Sequence, residues 1–179
     1  MPKYFLAFDV GTSGVKAGIV SQEGSMIATS SREYPSIYPA PQWVEQSVET
    51  MWLAQCEASQ HLFATSGIKP TEIAGVAVSS QRATFVPVDR NEEPLTNFIG
   101  WQDKRSIKQC DMMRQVVGED DYYRISGLSI EPTAAVSKIL WLKENQPDVF
   151  DKAHKFYSTQ NMHLHQLGVR DAPCDLPDA

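Results

Sequence analysis

The stretch YFLAFDVGTSGVKAGIV, Tyr4 to Val20, decides the fold. Tyr4 to Phe8 is an apolar run of strand length, closed by the first charge, Asp9, and it reads as a buried strand ending in a carboxylate. Gly11, Thr12, Ser13 and Gly14 make a small polar turn, after which Val15 to Val20 resumes a β-branched pattern bounded by Gln22, Glu23 and Gly24. The pattern predicts a hairpin. Gly-Thr-Ser-Gly suits any tight loop on turn chemistry alone. It also suits an anion, because glycine admits backbone N–H groups, Thr12 and Ser13 add hydroxyl donors, Lys16 adds charge and Asp9 can hold a cation through its water shell.

Working outward, Ser25 to Arg32 supplies a third strand of an antiparallel meander. Pro35, Pro39 and Pro41 then forbid regular structure and mark an extended connection. Ser47 is an N-cap for a helix through Met51, Gln55 and Leu62 that Gly67 and Pro70 stop. Ile73 to Ser79 is a strand that returns from this crossover parallel to the first. Ser79, Ser80, Gln81 and Arg82 then stand beyond its carboxyl end, where open α/β sheets bind ligands.

Thr84 to Val88 and Leu95 to Gly100 flank the turn-rich DRNEEP and predict an inserted hairpin that leads into Trp101, Gln102, Asp103, Lys104 and Arg105. Helices are expected over 106–117 and 121–126, and over Ala134 to Asn145 before Pro147. Phe156 and Tyr157 suggest a strand, Thr159 to Gly168 a helix start, and the stretch from Arg170, with Pro173 and Pro177, an abrupt end. The order is an α/β fold: a mixed sheet β-β-β-α-β with flanking helices and an inserted β-hairpin, as in a ribonuclease H-like (actin-like) lobe.

A chain of 179 residues with 42% hydrophobic and 21% charged content is sized for one ordinary globular domain. The net charge of −6, without a Lys/Arg-rich block, argues against a nucleic-acid backbone as partner. Cys56, Cys110 and Cys174 are too scattered for a zinc site or a disulfide scaffold, which fits a reducing cytoplasm. No basic leader or membrane-length apolar run is seen, so a cytoplasmic protein without membrane contact is expected.

Four ordered motifs resemble the FGGY carbohydrate kinases, specifically their N-terminal lobe: FDVGTSGVKAGIV at Phe8 to Val20, WVEQ at Trp43 to Gln46, GVAVSSQR at Gly75 to Arg82 and WQDKR at Trp101 to Arg105. The resemblance covers nearly the whole chain. It implies ATP-dependent phosphorylation of a sugar or polyol hydroxyl, with ATP and Mg2+ as cofactors. It carries over Asp9 as the metal-associated carboxylate, and Gly11, Thr12, Ser13 and Lys16 as phosphate contacts. Gln81, Arg82, Trp101 and Asp103 become acceptor contacts, and a homodimer of the full-length protein is allowed. Such chemistry needs positioning and charge neutralisation more than covalent catalysis. Arg82 offers fixed donors to hydroxyl oxygens, Asp103 can accept from hydroxyls or cap the next helix, and Trp101 can cover a sugar's C–H face.

Departures from the family pattern narrow this reading. Glycerol-phosphorylating members follow the Gln-Arg pair with an acid and a later Asp-Pro with Tyr; this chain has Ala83 and, after Glu131-Pro132, Thr133, which disfavours glycerol and leaves the acceptor unnamed. The family's catalytic Asp and adenine-binding lobe come later than Ala179, so residues 1–179 are expected to be a truncated lobe, inactive alone. The alternatives are a noncatalytic sugar- or nucleotide-sensing module, a weaker actin-type assembly protein, and a nuclease using Asp9, Glu45 and Asp103 to hold two metals. His163 and His165 sit at i and i+2 and point to different sides of a helix, so they are read as ordinary core or surface residues.

Overall fold

Residues 3–170 are described by a computed structural model, and their strands form two four-stranded sheets. The opening stretch is a hairpin of β1 (Tyr4–Val10) and β2 (Gly14–Ser21), with Asp9 opposite Lys16 and Val10 opposite Val15. Strand β3 (Met26–Glu33) continues the meander beside β2. After the short β4 (Glu45–Gln46) comes helix α1 (Val48–Ser66), then β5 (Ile73–Ser80), which lies parallel to β1 with Ser79 beside Asp9. The first sheet therefore has the order β3-β2-β1-β5, with α1 crossing between the parallel strands β3 and β5.

Alternation decides which face is covered. Leu6, Phe8 and Val10 with Val15, Ala17 and Ile19 are buried against Met51, Ala54, Ala58 and Leu62 of α1. Phe5 and Asp9, one residue out of phase, remain exposed on the other face. Ser47 caps α1 by accepting from the Thr50 N–H at 3.1 Å. Gly67 ends it at φ 70°, a left-handed conformation that glycine adopts without a Cβ clash.

The inserted hairpin grows into the second sheet, ordered β4-β7-β6-β8. Its arms are β6 (Phe85–Val88) and β7 (Phe98–Ile99), paired at Phe85 and Ile99, and β8 (Lys155–Ser158) joins the free edge of β6. All four residues of β6 are buried, which is why Phe-Val-Pro-Val shows no alternation. Helices α2 (Ile107–Val116), α3 (Glu119–Ser126) and α4 (Ala135–Asn145) follow the hairpin. Pro147, read above as a stop, is the first residue of α5 (Pro147–Lys152), the one helical position where its missing N–H costs nothing. Ser158 and Asn161 cap α6 (Thr159–Gln166) reciprocally. Cys174 and the prolines at 173 and 177 lie outside the described residues. Among the described residues no helix is long and apolar enough to cross a membrane.

Candidate functional site

The Gly11–Gly14 turn is held from behind by Tyr34, which sits in the proline-rich connection. Its buried hydroxyl donates to the Gly11 carbonyl at 2.6 Å and lies 3.1 Å from that of Gly14. Burial, and then the charge of Asp9, push the phenol above the tyrosine range, so it stays a donor. Thr12 and Ser13 fall outside both strands, which leaves their N–H groups out of the ladder and turned over to the loop. Gly14 has no room for a side chain, since a Cβ there would stand 2.6 Å from the Arg32 carbonyl oxygen on β3. Gly14→Ala is accordingly expected to lower stability by about 1–3 kcal/mol, the usual cost of overpacking, in urea melts of the two proteins.

From this turn a chain of hydrogen bonds runs to the other sequence-nominated residues. The Gln81 N–H donates to the Val10 carbonyl at 2.8 Å, and its side-chain amide donates to Gln46 at 2.6 Å. Gln46 in turn donates to the Thr12 carbonyl at 2.7 Å. The Trp101 indole N–H donates to the Thr12 hydroxyl at 3.1 Å, so an acceptor candidate and a phosphate candidate touch. Thr12 keeps its own O–H free to donate. Arg82 and Trp101 are exposed at this rim, as are Asp9 and Lys16 at the end of the β1–β2 ladder. An open depression of about 920 Å³ includes Asp9, Lys16 and Ser79 in its wall, but neither Arg82 nor Trp101. Gln46 and Tyr34 were missed as site residues. A place at the end of the WVEQ motif, directly before the Ser47 N-cap, was the available signal for the first, and nothing local marked the second.

Asp103 is placed differently from its sequence reading. It is fully buried, with one oxygen accepting from the Val44 N–H at 2.6 Å and the Arg105 guanidinium at 2.9 Å. The other accepts from the Arg105 backbone N–H and Nε, each at 2.9 Å. Both of its oxygens thus accept from protein donors, and the N-cap position of α2 is Ser106. Arg105 also donates to Glu45 at 2.8 Å and stacks 4.0 Å from the ring centre of Trp43 and 5.0 Å from that of Trp141. The WVEQ and WQDKR motifs thus meet in a buried cage. Glu45 and Asp103 neutralise Arg105, which removes them from a two-metal nuclease centre, and among the described residues no group of three metal-ligating side chains exists.

Comparison with known proteins agrees with this geometry. The profile of the FGGY family of carbohydrate kinases, N-terminal domain, matches residues 4–176. The glycerol kinase of Burkholderia vietnamiensis is 32% identical over 94% of this chain and 36% of its own length. That of Brachyspira hyodysenteriae is 34% identical over 87% of this chain and 32% of its own. The ligand-bound xylulose kinase from Lactobacillus acidophilus superposes with a TM-score of 0.81 at 26% identity, over 92% of this chain and 33% of that one. The chain spans about a third of the length of these relatives. With the motifs, the mixed sheet and the matched profile in agreement, this chain belongs to the FGGY family of carbohydrate kinases, in the part that forms their N-terminal domain.

Proposed function

We propose that this lobe supplies the phosphate-facing and acceptor-facing half of an ATP-dependent sugar or polyol kinase. The observation that carries the reading is the hydrogen bond from the Trp101 indole to the Thr12 hydroxyl, which sets the acceptor rim against the phosphate turn. Mg-ATP suits what the turn offers: two N–H groups outside the ladder, two hydroxyls, and Lys16 opposite an exposed Asp9. ATP would supply the transferred phosphoryl group. Asp9 would hold magnesium through water, since a lone carboxylate suits an ion whose other ligands are phosphate and water. Gln81 is tied into the Gln46–Thr12 chain, which leaves Arg82 and Trp101 as the open acceptor contacts. The protein is proposed to act in the cytoplasm, and a homodimer belongs to the same reading.

Ala83 and Thr133 stand where the glycerol pattern has an acid and a tyrosine, while the curated relatives above are named glycerol kinases. The acceptor is therefore proposed as a class. A titration of the chain with glycerol, pentuloses, hexuloses and polyols, with and without Mg-ATP and followed by the amide signals of Thr12 and Ser13 and the Trp101 indole, tests the reading. Saturable binding of at least one acceptor is expected, weakened about 10- to 100-fold in Arg82→Ala by loss of a charged hydrogen bond. Turnover by this chain alone is not expected, because neither proposed open acceptor contact, Arg82 nor Trp101, is a general base. Acceptors that leave all three signals unmoved, or that bind Arg82→Ala unchanged, overturn the proposal. Binding with no turnover even in a chain extended by the second lobe would favour the sensing module.

A further inference from the structure

Lys138 lies in α4 with no exposed surface and carries the only side-chain amine of that helix's buried face. Its ammonium donates to the carbonyl oxygens of Gly100 at 3.0 Å, and of Ala83 and Thr133 at 3.1 Å each. No carboxylate within the described residues pairs with it directly; three carbonyl dipoles meet its three N–H donors. Each carbonyl belongs to a different segment. Ala83 follows Arg82, Gly100 precedes Trp101, and Thr133 precedes α4.

The backbone bends to make this arrangement. Ala83 takes φ 54°, a left-handed conformation unfavourable for a residue with a Cβ. The Trp101 N–H is held as well, donating to the Thr84 hydroxyl at 3.0 Å. A buried ammonium needs an acceptor for each of its N–H groups, but those acceptors need not come from one site. This one ties together the three backbone segments that carry the open acceptor contact Arg82, the indole that reaches Thr12, and both positions at which the chain departs from the glycerol pattern.

We propose that Lys138 is the positioning residue of the acceptor rim: by holding the carbonyls of Ala83, Gly100 and Thr133 together it sets where Arg82, Trp101 and the residue-133 side chain stand. The proposal rests on the acceptor reading above for its purpose, and on the clamp geometry for its existence. Burial brings the Lys138 ammonium down to about 8, so raising the pH removes one of three donors and must free one carbonyl. Around it the ionisable groups are Asp103 and Arg105, locked in their pair, and Cys110 on α2, whose thiol burial pushes up.

The test uses this chain labelled with 5-fluorotryptophan, whose four tryptophans are resolved by fluorine NMR, with Trp101 assigned from Trp101→Phe. In the wild type the Trp101 line is expected to move between neutral and alkaline pH with a midpoint near 8, while Trp52 on α1 stays in place. Cys110→Ser should leave that titration intact, and Lys138→Met should show the displaced line at every pH. Any acceptor that binds the wild type is expected to bind Lys138→Met about tenfold or more weakly, the scale of a misplaced contact. A Trp101 line at its wild-type position in Lys138→Met, with the Trp52 line unmoved to show the fold intact, overturns the clamp whether or not sugars bind. A line that titrates in a protein that no sugar perturbs overturns the acceptor reading and leaves the clamp without that purpose.

Discussion

Replacing Arg105 with Met is expected to destabilise this chain by about 3–5 kcal/mol, the cost of leaving a buried charge without its partner. The Arg105 side chain is 2% exposed and that of Asp103 not at all, so water cannot take the guanidinium's place. Without it, Asp103 keeps only two backbone N–H donors for two oxygens, while Glu45 is more open and keeps Asn97. The loss also uncovers the rings of Trp43 and Trp141, which pack edge to face with centres 5.1 Å apart and each lie under the guanidinium. Because small domains are stable by only about 5–15 kcal/mol, the variant should be largely unfolded in urea concentrations that the wild type tolerates.

Two further proteins separate charge from packing. Arg105→Lys keeps the charge but cannot present the planar fork that binds both Asp103 oxygens, so it should recover only part of the loss. Asp103→Asn combined with Arg105→Met removes both charges and should be more stable than Arg105→Met alone. If Arg105→Met melts within about 1 kcal/mol of wild type, the pair is not what joins these motifs. The cage also reaches the first turn. Asp103 fixes the Val44 N–H, two residues before Gln46, and Gln46 holds the Thr12 carbonyl, so the Gly11–Gly14 turn should show faster amide exchange in the same variant.

The same cage marks where the sequence is legible and where it is not. Tyr4 to Val20 could be read because a strand, a glycine turn and a strand are written in adjacent residues, and β5 because a short β-branched run directly follows the stop of a crossover helix. Which residues of WVEQ and WQDKR meet a ligand and which meet each other could not be read. Arg, Asp, Glu and Trp serve a buried ion pair and a sugar pocket equally well, and only the fold brings Trp43, Glu45, Asp103 and Arg105 together. Lys138 was hidden for the same reason. A lysine in AAVSKILWLKEN resembles Lys143, which is exposed, until three distant carbonyls are seen around it. Pro147 is ambiguous in principle, since proline both ends one helix and begins the next.

Lowering the pH from 6.5 to 4 is expected to remove about 3 kcal/mol of stability through His163 alone. His163 is 1% exposed, its ring tilted against Trp52 with centres 6.4 Å apart, and its Nδ1 has no hydrogen-bond partner. Burial brings it down to about 4, because an imidazolium there would lose its water and gain no acceptor. The unfolded chain, with an ordinary imidazole near 6.5, takes up the proton first. Stability is therefore fully present above about 6.5, falls as the unfolded state binds the proton, and stops falling from this cause below about 4, where both states are protonated. Glu92 and Glu119 are both held below the usual carboxylate value of 4.5, by Tyr157 and by Arg114 respectively, so their losses come mainly at lower pH and do not imitate this one. His163→Met keeps the volume and removes the titration, so urea melts at pH 7, 6 and 5 should show the wild type losing stability step by step while the variant changes far less. Equal slopes for the two proteins across that range would mean that His163 is not the group that senses acid.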